Sequence, residues 1–209
     1  MSYINARFYR QRAKRAVDLI LSMLLIPILA PVIAALYIGV RLDGGPGFFG
    51  HQRVGRNGVS FHCWKLRTMV PDAQQKLDRL LQENPVARAE WERDHKLRED
   101  PRITRFGNFL RKTSLDELPQ IWNVLRGEMS LIGPRPVTAP ELERYHGMKV
   151  VYLSLRPGIT GVWQVSGRND VSYDARVQMD ADYYRKVGFV FDIRILLQTI
   201  GVVFARTGL

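Results

Sequence analysis

Residues 19–40 read Leu-Ile-Leu-Ser-Met-Leu-Leu-Ile-Pro-Ile-Leu-Ala-Pro-Val-Ile-Ala-Ala-Leu-Tyr-Ile-Gly-Val, 22 residues without a charged side chain. A helix needs about 20 predominantly apolar residues to reach across bilayer hydrocarbon, so this stretch belongs in the membrane. It is too long for the apolar part of a signal peptide, and no small-residue cleavage site follows it. Pro27 and Pro31 lie near its middle, and each removes a backbone donor and crowds the preceding turn. The flanks choose between crossing and turning back. Arg7, Arg10, Arg12, Lys14 and Arg15 precede the run with no acidic residue among them. Arg41, Arg53, Arg56, Lys65 and Arg67 follow it, accompanied only by Asp43 up to Met69. Basic flanks favour the cytoplasmic side, and a single crossing cannot place both ends there. The expectation is a basic N-terminus and re-entrant helix-break-helix hairpin over residues 1–40, joined to a cytoplasmic domain over 41–209. Asp18 is expected at the interface or paired with Arg15, because a lone carboxylate inside a membrane is costly.

The chain as a whole has a globular composition: 209 residues, 46% hydrophobic and 10% aromatic. The formal net charge of +11 suits an anionic partner, whether nucleic acid, anionic lipid or a phosphorylated substrate. Cys63 is alone, which excludes an intrachain disulfide, and it reads as a small packed hydrophobe. Residues 59–64 resemble a strand between glycine turns. Residues 72–82 read as a helix capped by Asp72, with Ala73, Leu77, Leu80 and Leu81 on one face. Pro85 ends it, and residues 86–97 form a second, highly charged helix. Residues 195–205 are apolar but too few to cross a bilayer, so a core or interfacial helix is expected there. Together these give an α-rich α+β domain with amphipathic helices at the membrane interface, without the regular alternation of a doubly wound fold.

Two clusters carry chemistry. In Arg111-Lys112-Thr113-Ser114-Leu115-Asp116-Glu117-Leu118-Pro119-Gln120, Ser114 and Glu117 have capping-box spacing. That places Asp116 and Glu117 in a first helical turn, where the dipole favours anions; alternatively the helix begins at Pro119. Either way the carboxylates lie beside Arg111 and Lys112, and simple capping also accounts for these residues. The second cluster, Gly133-Pro134-Arg135-Pro136, fixes a guanidinium in a turn with little freedom to lose, which suits bidentate phosphate recognition. Arg156-Pro157-Gly158 and Gly167-Arg168 repeat the theme of arginine beside glycine turns.

The chain resembles the bacterial sugar transferase family of monotopic polyprenyl-phosphate phosphoglycosyl transferases. The likeness runs through Lys14-Arg15 and Asp18, Trp64-Lys65-Leu66-Arg67-Thr68-Met69 and Asp100-Pro101-Arg102-Ile103-Thr104. It continues through residues 114–120, 127–136 and 156–170. The run Trp163-Gln164-Val165-Ser166-Gly167-Arg168-Asn169-Asp170 is most similar to the exopolysaccharide branch. The resemblance implies transfer of a hexose-1-phosphate from a UDP-sugar to polyprenyl (undecaprenyl) phosphate, with release of UMP. UDP-galactose or UDP-glucose is the implied donor, an N-acetylated UDP-sugar the alternative. It further implies Mg²⁺ held by Asp116 and Glu117, and an aspartyl-phosphosugar intermediate on Asp116. The implied substrate-binding cations are Lys65, Arg67, Arg102, Arg111, Arg135, Arg156 and Arg168, and the implied location is the cytoplasmic face of the bacterial inner membrane.

The chain departs from the family pattern twice. The helix break, often Ser-Pro, is Ala30-Pro31 here, and a familiar Asp-x-Tyr-Tyr block appears as Asp180-Ala181-Asp182-Tyr183-Tyr184. Two other classes compete. A nucleic-acid binder would use the net charge but has no purpose for the apolar run, and no nucleic-acid motif is present, so no nucleic-acid partner is expected. A non-enzymatic membrane scaffold leaves the Asp-Glu pair and the arginine turns unexplained. The exact sugar, the lipid length and the oligomeric state, a homodimer included, stay open.

Overall fold

The computed structural model describes residues 8–94, 97–166 and 171–204. A wide turn, Tyr9–Ala13, leads into helix α1, Lys14–Arg41. A hairpin follows, β1 (Phe48–Val54) and β2 (Ser60–Leu66), and then helices α2 (Ala73–Glu83), α3 (Pro85–Asp94) and α4 (Arg105–Thr113). A single 3₁₀ turn, Leu115–Glu117, precedes α5 (Gln120–Arg126) and the short strand β3 (Ser130–Ile132). The chain continues through α6 (Ala139–Glu143), α7 (Lys149–Ser154), β4 (Gly158–Thr160) and α8 (Val162–Val165), and closes with α9 (Tyr173–Lys186) and α10 (Phe189–Phe204). This is the α-rich α+β chain expected, with its one long apolar helix near the N-terminus.

Helix α1 differs from the expected hairpin. It is one helix, and both Pro27 and Pro31 lie inside it. Lacking an N–H, each proline leaves the carbonyl four residues back, at Met23 and Pro27, without its intrahelical donor. The two ends of α1 rest on the same body. Near its start, Lys14 Nζ meets Asp192 Oδ2 at 2.6 Å, and Arg15 donates to the carbonyls of Val124 and Leu125 at 2.6 and 2.9 Å. Asp18 is neither interfacial nor paired with Arg15. It is buried and accepts from Ser130 Oγ at 3.0 Å and from the Leu131 N–H at 3.2 Å. At the far end the Val40 carbonyl accepts from Arg67 at 3.1 Å, and Gly39 passes so close to Phe106 that a Cβ would lie 2.9 Å from the ring. Between these anchors Leu21, Ile26, Leu29 and Ile33 face the core, whereas Met23, Leu24 and Ile28 stay exposed.

The core gathers Val124, Met129, Tyr183 and Ile195 with Phe61 and Cys63 of β2. Asp192 ties its edges, accepting from the hydroxyls of Tyr9 and Tyr183, each at 2.9 Å, as well as from Lys14. β1 and β2 pair antiparallel with Phe48 opposite Leu66 and Val54 opposite Ser60. β3 and β4 pair parallel, Ser130 opposite Gly158 and Ile132 opposite Thr160. Glycine is required at that second contact: a Cβ on Gly158 would lie 2.1 Å from the Gly133 nitrogen, and one on Gly161 would lie 2.2 Å from the Gly133 oxygen.

Local boundaries shift for physical reasons. Asp72 precedes α2 but makes no side-chain cap bond. Pro85 starts α3, where its missing donor does no harm, as well as closing α2. The apolar C-terminal helix begins at Phe189, ahead of the apolar run, because Asp192 turns inward to its three donors. Asp180 is buried beneath the Tyr145 hydroxyl at 2.7 Å, and burial pushes its carboxyl up to about 7. Asp182, its neighbour on α9, faces solvent and pairs with Arg185.

Candidate active site

The Asp-Glu pair is presented by a chain reversal rather than by a helix cap. α4 ends at Thr113, and Ser114 takes a left-handed conformation (φ 57°) with no side-chain cap bond. The capping box is therefore not formed. Leu115 anchors the following turn against Val40, Leu66 and Leu110, and the next helix starts after Pro119. Asp116 and Glu117 sit in that turn, Asp116 only 7% exposed.

Lys65 reaches them from β2. Residues 61, 63 and 65 share one strand face, so the packing of Phe61 and Cys63 into the core aims Lys65 along the same side. Its ammonium lies 2.5 Å from Glu117 Oε1 and 3.5 Å from Asp116 Oδ2. Burial pushes the Asp116 carboxyl above its ordinary value; Lys65 pulls it down, Glu117 pushes it up, and Arg111 pulls it down. Burial alone would lower the Lys65 ammonium, but Glu117 and Asp116 together outweigh it and raise the group. Arg111, in the last turn of α4, donates through Nε to Thr68 Oγ1 at 2.8 Å.

A half-open pocket adjoins this cluster, lined among others by Arg53, Lys65, Glu117, Gln120, Arg135 and Gln164. Asp116 does not line it but lies beside Lys65, which does. Arg135 follows β3 through Gly133 and the fully buried Pro134, and its guanidinium lies 5.2 Å from the centre of the Trp163 ring. Arg176 lies 4.7 Å from the same ring. Arg135 makes no ion pair among the described residues, which leaves its N–H groups for a ligand. Arg53 pairs with Glu141 at 2.8 Å. Burial pushes the Cys63 thiol up to about 11, so this pocket residue is inert at neutral pH.

Three expected cations are committed elsewhere. Arg67 donates to the carbonyls of Pro46, Met69, Val40 and Gly44 and pairs with Asp43 at 2.5 Å, closing the C-terminal end of α1. Arg102 grips Asp100 with two parallel bonds of 2.8 and 2.7 Å. Arg156 donates to the Gly127 carbonyl at 2.9 Å, beyond the end of α5. Each satisfies local acceptors that a residue-type argument cannot see. Arg168 lies outside the described residues. Arg53, Gln120 and Gln164 were missed; the hairpin register opposing Arg53 to Phe61 places Arg53 beside the Cys63–Lys65 face. Among the described residues no group of three or more His, Cys, Asp or Glu side chains gathers as a metal site.

The comparisons agree on one family. Residues 9–206 match the family described as Bacterial sugar transferase. The chain is 54% identical over 195 residues to a UDP-galactose-lipid carrier transferase of Erwinia amylovora, and 53% identical to an undecaprenyl-phosphate galactose phosphotransferase of Salmonella typhimurium. Each alignment covers 93% of this chain and 41% of the relative, so the chain spans about two fifths of those proteins. It is also 45% identical to the exopolysaccharide production protein ExoY of Rhizobium meliloti, covering 94% of this chain and 87% of that one.

Removing the Lys65 charge should move Asp116. In Lys65→Met the Asp116 carboxyl should titrate at higher pH than in the parent, and Lys65→Arg should stay near the parent. Carbon-13 NMR of aspartate-labelled protein in micelles reads this directly. An unchanged titration in Lys65→Met would show that the ammonium does not govern the carboxyl.

Proposed function

The chain belongs to the bacterial sugar transferase family, and from that premise we propose that it moves a hexose-1-phosphate from a UDP-sugar to undecaprenyl phosphate and releases UMP. UDP-galactose is the favoured donor, because two relatives at 53–54% identity carry galactose in their names while two glucose-named relatives stand at 36 and 38%. The ExoY relatives support a place at the start of exopolysaccharide assembly. The observation that carries the reading is the buried Asp116 beside Glu117 and Lys65, next to a pocket that Arg135, without an ion pair among the described residues, also lines.

In the proposed reaction the donor pyrophosphate enters against Arg135 and draws Lys65 away from the two carboxylates. Asp116 is then uncovered, and Arg111 still favours its ionised form. Its oxygen attacks the β-phosphorus, the bond from that phosphorus to the bridging oxygen breaks, and UMP leaves with the electron pair. The phosphosugar remains on Asp116. An oxygen of the lipid phosphate, already largely ionised at neutral pH, attacks the same phosphorus and frees the carboxylate. Lys65 and Arg135 neutralise the charge that builds on the transferred group. Asp116 and Glu117 would hold Mg²⁺, a hard cation commonly bound by one or two carboxylates together with substrate phosphates and water. When bound it supplies charge neutralisation on the pyrophosphate.

The same reading places α1 in the cytoplasmic leaflet with both ends on one side. At 1.5 Å per residue its 28 residues extend about 42 Å. Both ends dock on one body through Arg15, Asp18 and Arg67, which a straight crossing would separate by the bilayer. The two undonated carbonyls give it a soft point at mid-length. Exposed Phe109 on α4, Trp122 on α5, and Leu197 and Ile200 on α10 supply apolar contacts for the interface.

Two measurements test these proposals. UMP release with undecaprenyl phosphate should be fastest from UDP-galactose, and well-folded Asp116→Asn should lose at least about a thousandfold in turnover. No release from any UDP-sugar, or near-parent turnover in Asp116→Asn, would refute the assignment. Single cysteines at Ser2 and Ser60, in a Cys63→Ser background, should both resist an impermeant thiol reagent in intact cells. Labelling of either from outside would establish a crossing helix.

A further inference from the structure

We propose that Gln164 is a specificity residue: its side-chain amide oxygen accepts a hydrogen bond from a hydroxyl group of the donor sugar. This rests on the reading that the pocket takes a sugar nucleotide. Gln164 Oε1 is sealed from solvent and has no hydrogen-bond donor among the described residues, an uncommon state for a buried polar atom. The indole N–H of Trp163, its neighbour on the single turn α8, is also buried and unpartnered. A carbonyl left this way loses its hydration and gains nothing in return, so the arrangement favours a ligand that supplies the donor.

Position says which ligand group. A Cβ on Gly161 would lie 3.0 Å from Oε1, so backbone closes one side of the amide, while Gln164 lines the pocket it shares with Lys65, Glu117 and Arg135. Sugar nucleotides carry two kinds of neutral donor, the sugar hydroxyls and the imide N–H of uracil. The β-phosphorus has to approach Asp116, and the sugar is bonded directly to that phosphate. Uracil is separated from it by the α-phosphate and the ribose. Gln164 borders the same small pocket as Lys65 and Glu117, so a turn of its side chain brings the amide oxygen, covered in this structure, within reach of the sugar. A site with a dedicated acceptor for one hydroxyl rejects an analogue lacking it, because the acceptor is then left buried and unpaired.

The test compares kcat/KM for UDP-galactose with its four single-deoxy analogues, using the full chain and undecaprenyl phosphate. The parent should penalise one analogue by at least about a hundredfold. Gln164→Leu should lose about ten- to a hundredfold on UDP-galactose and no longer distinguish that analogue. Gln164→Glu keeps an acceptor and should keep the preference. Gln164→Met, apolar and closer in length, should behave like Gln164→Leu and replaces it if that variant misfolds. Inhibition by UMP should match the parent in every variant. Parent-like discrimination in the apolar variants would overturn the assignment. So would weakened UMP inhibition equal to the loss on UDP-galactose, which would turn the amide toward uridine. A parent that releases no UMP from any UDP-sugar would instead remove the transferase reading itself.

Discussion

Two carboxylates on adjacent residues, one of them almost wholly buried, cannot both hold a negative charge without a cation beside them. Lys65 is that cation, and the site is built around its reach. Burial and Glu117 both push the Asp116 carboxyl toward its neutral form; Lys65 and Arg111 oppose them. Asp116 is thereby kept desolvated beside the lysine. In the proposed reaction a diphosphate is the anion that competes for that lysine, with the Arg135 guanidinium, which makes no ion pair among the described residues, as its binding group.

The apolar helix and the site are one mechanical unit. Asp18 of α1 holds Ser130 and Leu131 of β3, the strand that runs into Gly133, Pro134 and Arg135. At the opposite end, Arg67 closes the last turn of α1 and lies two residues beyond Lys65 along β2. The helix thus fixes both cationic sides of the pocket, one from each end. Seating it in a leaflet would hold Arg135 and Lys65 at a set height over the membrane surface, as the proposed transfer to a lipid-borne phosphate requires. The close glycine contacts among Gly133, Gly158 and Gly161 carry the same constraint to Gln164.

Much of this was legible in the sequence, for identifiable reasons. An uncharged run of 22 residues has few alternatives to membrane contact, and the Asp116-Glu117 pair and Arg135 between prolines, far apart in sequence, come to one pocket and its border. Partners were not legible from residue type. Arg67, Arg102 and Arg156 read as phosphate ligands; in the fold Arg67 meets backbone carbonyls and Asp43, Arg102 meets Asp100, and Arg156 donates through Nε to the Gly127 carbonyl, contacts that depend on folding. Ser114 had the spacing of a cap but serves as the left-handed reversal that ends α4. Gln164 carried no charge and no familiar role, so only its burial without a donor draws notice.

The central claim is that Asp116 carries the phosphosugar. Purified protein incubated with UDP-galactose and no lipid acceptor, then quenched, digested and weighed, addresses it directly. The expected result is a phosphohexose adduct on the peptide containing Asp116, formed with an equal amount of UMP and cleared when undecaprenyl phosphate is added. Turnover in the complete reaction with no adduct formed in the lipid's absence, or an adduct on a different residue, would contradict it.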